Sequence, residues 1–187
     1  GFIDGGLSLD WLGAAGCRVV NLLAKGSRKH CEGQLRRTPE QHLTDVRAEI
    51  LAAVDRDMRV NLYLEDWSNG MLHSPEYVYQ LMDGLKDLPI KRFMLPDTLG
   101  ILNPRNTYFF CKEMLTRWPK LHFDFHAHND YDLAVANVYS AIVAGVKGVH
   151  TTVNGLGERA GNPPLSSVLA VIHDQLKLKT SLNEKKI

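Results

Sequence analysis

The chain has 187 residues, of which 44% are hydrophobic and 23% charged, enough to bury the core of one globular domain over 1–187 and short for two. Its 22 Lys and Arg against 21 Asp and Glu exclude a net basic field for nucleic acid, and no apolar run approaches the roughly 20 residues of a membrane span. Three widely spaced cysteines, Cys17, Cys31 and Cys111, fit reduced thiols and a cytoplasmic protein whose partners include neither nucleic acid nor membrane.

In chain order, residues 1–6 resemble the end of a strand, with 9–15 as its helix. Apolar runs at 18–24, 59–65, 90–95, 121–126 and 148–153 then read as strands. Amphipathic segments separate them, with recognisable punctuation. Thr38 before Pro39 is a cap followed by a proline at the first helical position, and Ser74-Pro75 and Asn103-Pro104 repeat that logic. The segment 132–144 is closed by Gly145, and a last helix spans 165–178 after Pro163-Pro164.

This alternation is the pattern of a parallel sheet with crossover helices, either doubly wound and open or closed as a TIM (β/α)8 barrel. The strand faces choose between them. Asn61, Tyr63 and Glu65 share one face and Val60, Leu62 and Leu64 the other, while His122, Asp124, His126 and His128 oppose Phe123 and Phe125. An open sheet covered on both sides needs two apolar faces, whereas a barrel carries polar groups toward its mouth. Only about six or seven βα units fit, against about 250 residues for a complete barrel. The expectation is therefore an α/β partial TIM barrel without its N-terminal strand region and its last strand.

His126 and His128 leave the same face of their strand, two imidazoles that one divalent ion can bridge. A lone pair of this kind is compatible with core histidines bonded to backbone. Their place at the C-terminal end of a barrel strand, where this fold builds its sites, points instead to a metal. With the amide of Asn162 they suit Zn²⁺, Mn²⁺ or Mg²⁺, and no cysteine is placed to soften the site. Glu65 ends its strand on the face of Tyr63; it reads as a salt-bridged carboxylate or as a group for proton transfer. Thr98, in Pro96-Asp97-Thr98-Leu99-Gly100, is a turn residue or a hydroxyl for a bound oxo acid. The loop Gly155-Leu156-Gly157-Glu158-Arg159-Ala160-Gly161-Asn162 is a flexible connection or an anion-binding one, Arg159 supplying a guanidinium fork.

Together, His126-Ala127-His128-Asn129-Asp130, Asp97-Thr98-Leu99-Gly100 and the glycine-rich loop resemble the acetyl-CoA-dependent condensing synthases that form 2-isopropylmalate, citramalate and homocitrate. These are metal-dependent TIM barrels akin to 3-hydroxy-3-methylglutaryl-CoA lyase. The resemblance implies a divalent metal held by His126, His128 and Asn162, with acetyl-CoA as co-substrate and a small 2-oxo acid as substrate. An Arg-Asp pair on the family's first strand, which this chain lacks, would complete the metal site. It also implies Glu65 as the catalytic carboxylate, Thr98 as a substrate ligand and Gly157, Glu158 and Arg159 as the acetyl-CoA region. Leu23 and Tyr63 resemble the apolar wall that encloses the methyl of pyruvate, which favours citramalate formation in branched-chain amino-acid biosynthesis. Formation of 2-isopropylmalate or homocitrate is the alternative, and a homodimer is implied for the full-length protein. From a different class, a non-catalytic barrel fragment or metal-binding domain also fits the missing first strand.

Overall fold

The computed structural model describes residues 1–183. Five strands, β1 (Val19–Lys25), β2 (Arg59–Glu65), β3 (Ile90–Asp97), β4 (Phe123–Ala127) and β5 (Gly148–Val149), form one parallel sheet in the order β1-β2-β3-β4-β5. Spatial order follows chain order without a reversal. Right-handed crossovers that all step the same way put their helices on one side of the sheet, which is the arc of a barrel; a doubly wound sheet reverses direction once.

The helices are α1 (Leu7–Ala14), α2 (Arg28–Gly33), α3 (Pro39–Val54), α4 (Trp67–His73), α5 (Pro75–Leu85), α6 (Pro104–Arg117), α7 (Ala134–Ala144) and α8 (Leu165–Ala170). They pack on the strand residues of one phase. Val20, Leu22, Val60, Leu62, Leu64, Phe93, Leu95, Phe123 and Phe125 are all buried, each such burial stabilising the fold by about 1.5–3 kcal/mol. The opposite phase carries the polar residues, and in-register pairing stacks Asn21, Leu23 and Lys25 of β1 against Asn61, Tyr63 and Glu65 of β2. None of the described helices is long and apolar enough to cross a membrane.

Local rules account for most boundaries. Thr38 and Gln41 form a reciprocal capping box before α3, Asn103 accepts the Asn106 N–H before α6, and Gly145 ends α7 at φ 112°. Ser74 departs from expectation. Its side chain makes no cap bond to α5, and its Oγ instead accepts the Arg28 N–H at 3.3 Å. Helices α2 and α4 were not legible in the sequence, being 6 and 7 residues long and thus under two turns of periodicity.

At the opening, Gly1 donates to Asn21 O at 2.8 Å and accepts from the Leu23 N–H at 3.1 Å. That is the bonding of a parallel bridge to β1, in keeping with a strand end. Of the run at 148–153, Gly148 and Val149 pair with β4, and the pairing ends there because Thr152 turns to form a bridge with Pro164. This bridge draws both ends of the glycine-rich loop together. The predicted helix 165–178 is regular through Ala170 and widens into a π turn over Val171–Gln175.

Candidate functional site

The C-terminal ends of β1 to β4 surround a cavity of about 230 Å³ lined by Leu23, Tyr63, Glu65, Pro96, Thr98, His126, His128 and Glu158. Seven of the residues singled out in the sequence therefore meet in one place. Strand periodicity explains the convergence, since Leu23, Tyr63, Glu65 and His126 each project from the non-helix face near a strand end.

His126 and His128 face each other with Nε2 atoms 3.3 Å apart. Two ring nitrogens that each bind one divalent ion at about 2.0–2.1 Å lie about 2.9–3.4 Å from one another at octahedral to tetrahedral angles. The spacing fits a shared ion. Burial, then the neighbouring His150 and His128, pushes His126 down to about 4, so above that pH its imidazole is neutral, the form that coordinates. Among the described residues no group of three or more His, Cys, Asp or Glu side chains is arranged around one ion. The candidate donors named from the sequence are two imidazoles and the amide of Asn162.

Asn162 is buried, and its Nδ2 donates to Ala127 O at 2.8 Å. This bond to the peptide between the two histidines fixes the amide plane. A Cβ on Gly157 would lie 1.9 Å from Asn162 Oδ1, so only glycine lets the loop pass over that oxygen. The Asn129 N–H donates to Gly161 O at 2.9 Å, fastening the loop beside the histidines.

Two residues here escaped the sequence reading. His150 sits just past β5, its Nδ1 3.3 Å from His126 Nδ1 and 3.1 Å from the Tyr63 hydroxyl. Asp124 is buried below them. Its Oδ2 is 3.0 Å from Arg92 and 3.7 Å from His150, and its Oδ1 2.7 Å from His122. Burial alone would raise its carboxyl, but these cationic and hydrogen-bonding partners prevail and hold it well below the usual carboxylate range. Asp124 was visible in phase with His126, and His150 in phase with Gly148; nothing local marked either.

Arg159 stands at φ 53° and grips Asp130 with Nε and Nη2 at 2.7 and 2.9 Å, while Nη2 also donates to Thr98 O at 2.8 Å. As placed, its fork ties the glycine-rich loop to the ends of β3 and β4. Glu158 is exposed, with Oε2 4.0 Å from His128 Nε2. Asp97 is buried and accepts the Ile101 and Leu102 N–H groups at 3.0 Å each, forming the turn that presents Thr98. Burial pushes its carboxyl up, against these bonds.

A family model described as HMGL-like matches residues 8–187. The chain is 32% identical over 167 residues to a probable 2-isopropylmalate synthase of Ignicoccus hospitalis, covering 89% of this chain and 41% of that protein. It is 35% identical over 172 residues to a homocitrate synthase of a Frankia species, covering 91% and 42%. With a putative (R)-citramalate synthase of Methanopyrus kandleri it shares 30% over 170 residues, covering 90% and 33%. The chain spans less than half the length of these curated relatives. Its backbone matches the crystal structure of the Bacillus subtilis HMG-CoA lyase with a TM-score of 0.82 at 20% identity, over 99% of this chain and 65% of that one. At that identity the likeness bears on the fold, an arc of a TIM barrel.

Proposed function

Because this chain belongs to the HMGL-like family, whose model matches residues 8–187, we propose that it carries the catalytic face of an enzyme condensing acetyl-CoA with a 2-oxo acid. The carrying observation is the His126–His128 pair, Nε2 atoms 3.3 Å apart, opening into the cavity that Glu65 and Thr98 also line. His126 and His128 would hold a divalent ion, Mn²⁺, Zn²⁺ or Mg²⁺, with Asn162 Oδ1 as a further donor. When bound, it supplies a Lewis acid that polarises the keto carbonyl of the oxo acid.

The remaining chemistry falls to the chain. The Thr98 hydroxyl donates to an oxygen of the oxo acid. Glu65 takes a methyl proton of acetyl-CoA or orients its thioester. The new bond joins the acetyl methyl carbon to the keto carbon, the carbonyl oxygen becomes the product hydroxyl, and water then hydrolyses the thioester to release the CoA thiol. Gly157, Glu158 and Arg159 form the rim along which acetyl-CoA lies. Leu23 and Tyr63 support pyruvate as the oxo acid and (R)-citramalate as the product, since an apolar wall suits a methyl group and leaves a second carboxylate unpaired. A cytoplasmic homodimer is the setting this reading implies for the full-length protein.

The test is thiol release by the full-length protein from acetyl-CoA with Mn²⁺ and either pyruvate or 2-oxoisovalerate. Faster release with pyruvate is expected. A preference for 2-oxoisovalerate would overturn the citramalate assignment, and no release with either or with 2-oxoglutarate would overturn condensation itself.

A further inference from the structure

Lys25 belongs to no motif and does not line the cavity. It ends β1 on the cavity face, two residues after Leu23, and pairs in register with Glu65. Its Nζ is 2.5 Å from Glu65 Oε2, the two side chains being 14% and 22% exposed. A lysine on a surface pairs loosely, because its four-carbon stem loses entropy on being held. Here the root of the stem is fixed. The Lys25 N–H donates to Nε2 of His42 at 3.0 Å, and the Lys25 carbonyl accepts the Tyr77 hydroxyl at 2.9 Å. Both partners are buried, His42 on α3 and Tyr77 on α5. Both Lys25 groups point to the side of β1 away from β2, where no described strand meets them, so two helices have supplied what a strand would otherwise provide. On the other side, the Gly26 N–H donates to Glu65 O at 2.6 Å. The backbone of one residue and the carboxylate of the other are thus mutually located.

We propose that Lys25 is a positioning residue that holds the Glu65 carboxylate against the cavity wall, taking one oxygen and leaving the other to the reacting groups. It acts through Glu65, because Lys25 does not itself line the cavity whereas Glu65 does. A charge-assisted bond of this kind is short and directional. It keeps a carboxylate from turning out to solvent or toward the imidazoles, which matters because small misplacements of a reacting group cost rate far more than affinity. The inference rests on Glu65 serving acetyl-CoA.

Two measurements separate it from that reading. In the full-length protein, Lys25→Met should lower kcat by about 10- to 100-fold while KM for the oxo acid stays within about 2-fold, and Lys25→Arg should restore most of the rate. A thermal midpoint shift without a loss of kcat, or equal losses in Met and Arg variants, would reduce Lys25 to a structural residue and overturn the proposal. Without substrate, the ¹⁵N-labelled Lys25 ammonium should give a signal protected from solvent exchange that disappears in Glu65→Leu. An ammonium signal indifferent to Glu65→Leu would overturn the pairing even if the enzyme condenses acetyl-CoA. A protein that passes this spectroscopic test yet releases no thiol with any oxo acid would keep the pairing and lose the assigned reaction.

Discussion

Thr98 Oγ1 accepts the backbone N–H of Asp66 at 2.8 Å. Asp66 is fully buried at φ 65°, its carboxylate taken by Ser27 Oγ at 2.6 Å and Asn69 Nδ2 at 2.7 Å. With an acceptor lone pair of Thr98 thus engaged, its hydroxyl proton is turned away from Asp66, and Thr98 borders the cavity. Thr98→Val should therefore raise KM for the oxo acid about 10-fold and lower stability by about 1–3 kcal/mol, since it strands a buried N–H. Thr98→Ser should recover both. Steady-state kinetics and urea unfolding check this; an unchanged KM in Thr98→Val would remove the hydroxyl from substrate binding.

The three histidines should differ in what they do for metal. His126 and His128 present Nε2 to one point, while His150 meets His126 only at Nδ1, 3.3 Å away. His126→Ala and His128→Ala should abolish calorimetric Mn²⁺ or Zn²⁺ binding together with turnover. His150→Gln, which removes an outer partner, should weaken binding by about 10- to 100-fold and leave the site intact. Tight binding in His126→Ala would mean that the ion sits elsewhere.

Gly157→Ala tests the loop independently of charge. The added Cβ would come within 1.9 Å of Asn162 Oδ1, and Asn162 cannot swing away without breaking its 2.8 Å bond to Ala127 O. Overpacking of this kind costs about 1–3 kcal/mol. The expected result is a folded protein with a lower thermal midpoint and weaker metal binding, read by calorimetry; unaltered binding would separate Asn162 from the metal.

What could be read in the sequence and what could not divide along physical lines. The inner phase of β2 and β4 was legible because a period of 2 is local, so Tyr63, Glu65, His126 and His128 could be set on one face before any fold was known. The cavity then gathered them with Leu23, Thr98 and Glu158. His150 and Lys25 were not legible. The first matters only because β5 lies beside β4, and the second because β1 and β2 pair with Lys25 opposite Glu65. Arg159 was read as a fork for an anion, and its pairing with Asp130 across 29 residues needed the loop to close through the Thr152–Pro164 bridge. Pairings across elements are set by register, which no short motif encodes.

His42 should give the fold a measurable acid sensitivity. It is 1% exposed, and burial, the largest influence, lowers it from its ordinary 6.5, so the imidazole stays neutral and its Nε2 can accept the Lys25 N–H. The unfolded chain takes up a proton on this ring near pH 6.5 and the folded chain only at lower pH. Unfolded molecules therefore hold more protons in that window, and stability rises with pH through it. The contribution is complete above about pH 6.5 and is lost as pH falls from there through the lower folded value. His42→Gln keeps an acceptor at reach and removes the titration. Urea unfolding from pH 7.5 down to 5.5 should show a shallower loss of stability in His42→Gln than in the wild type, the difference isolating His42 from the other histidines. Parallel pH dependences would mean that His42 takes up a proton as readily in the fold as in the unfolded chain and that the Lys25 N–H finds its acceptor elsewhere.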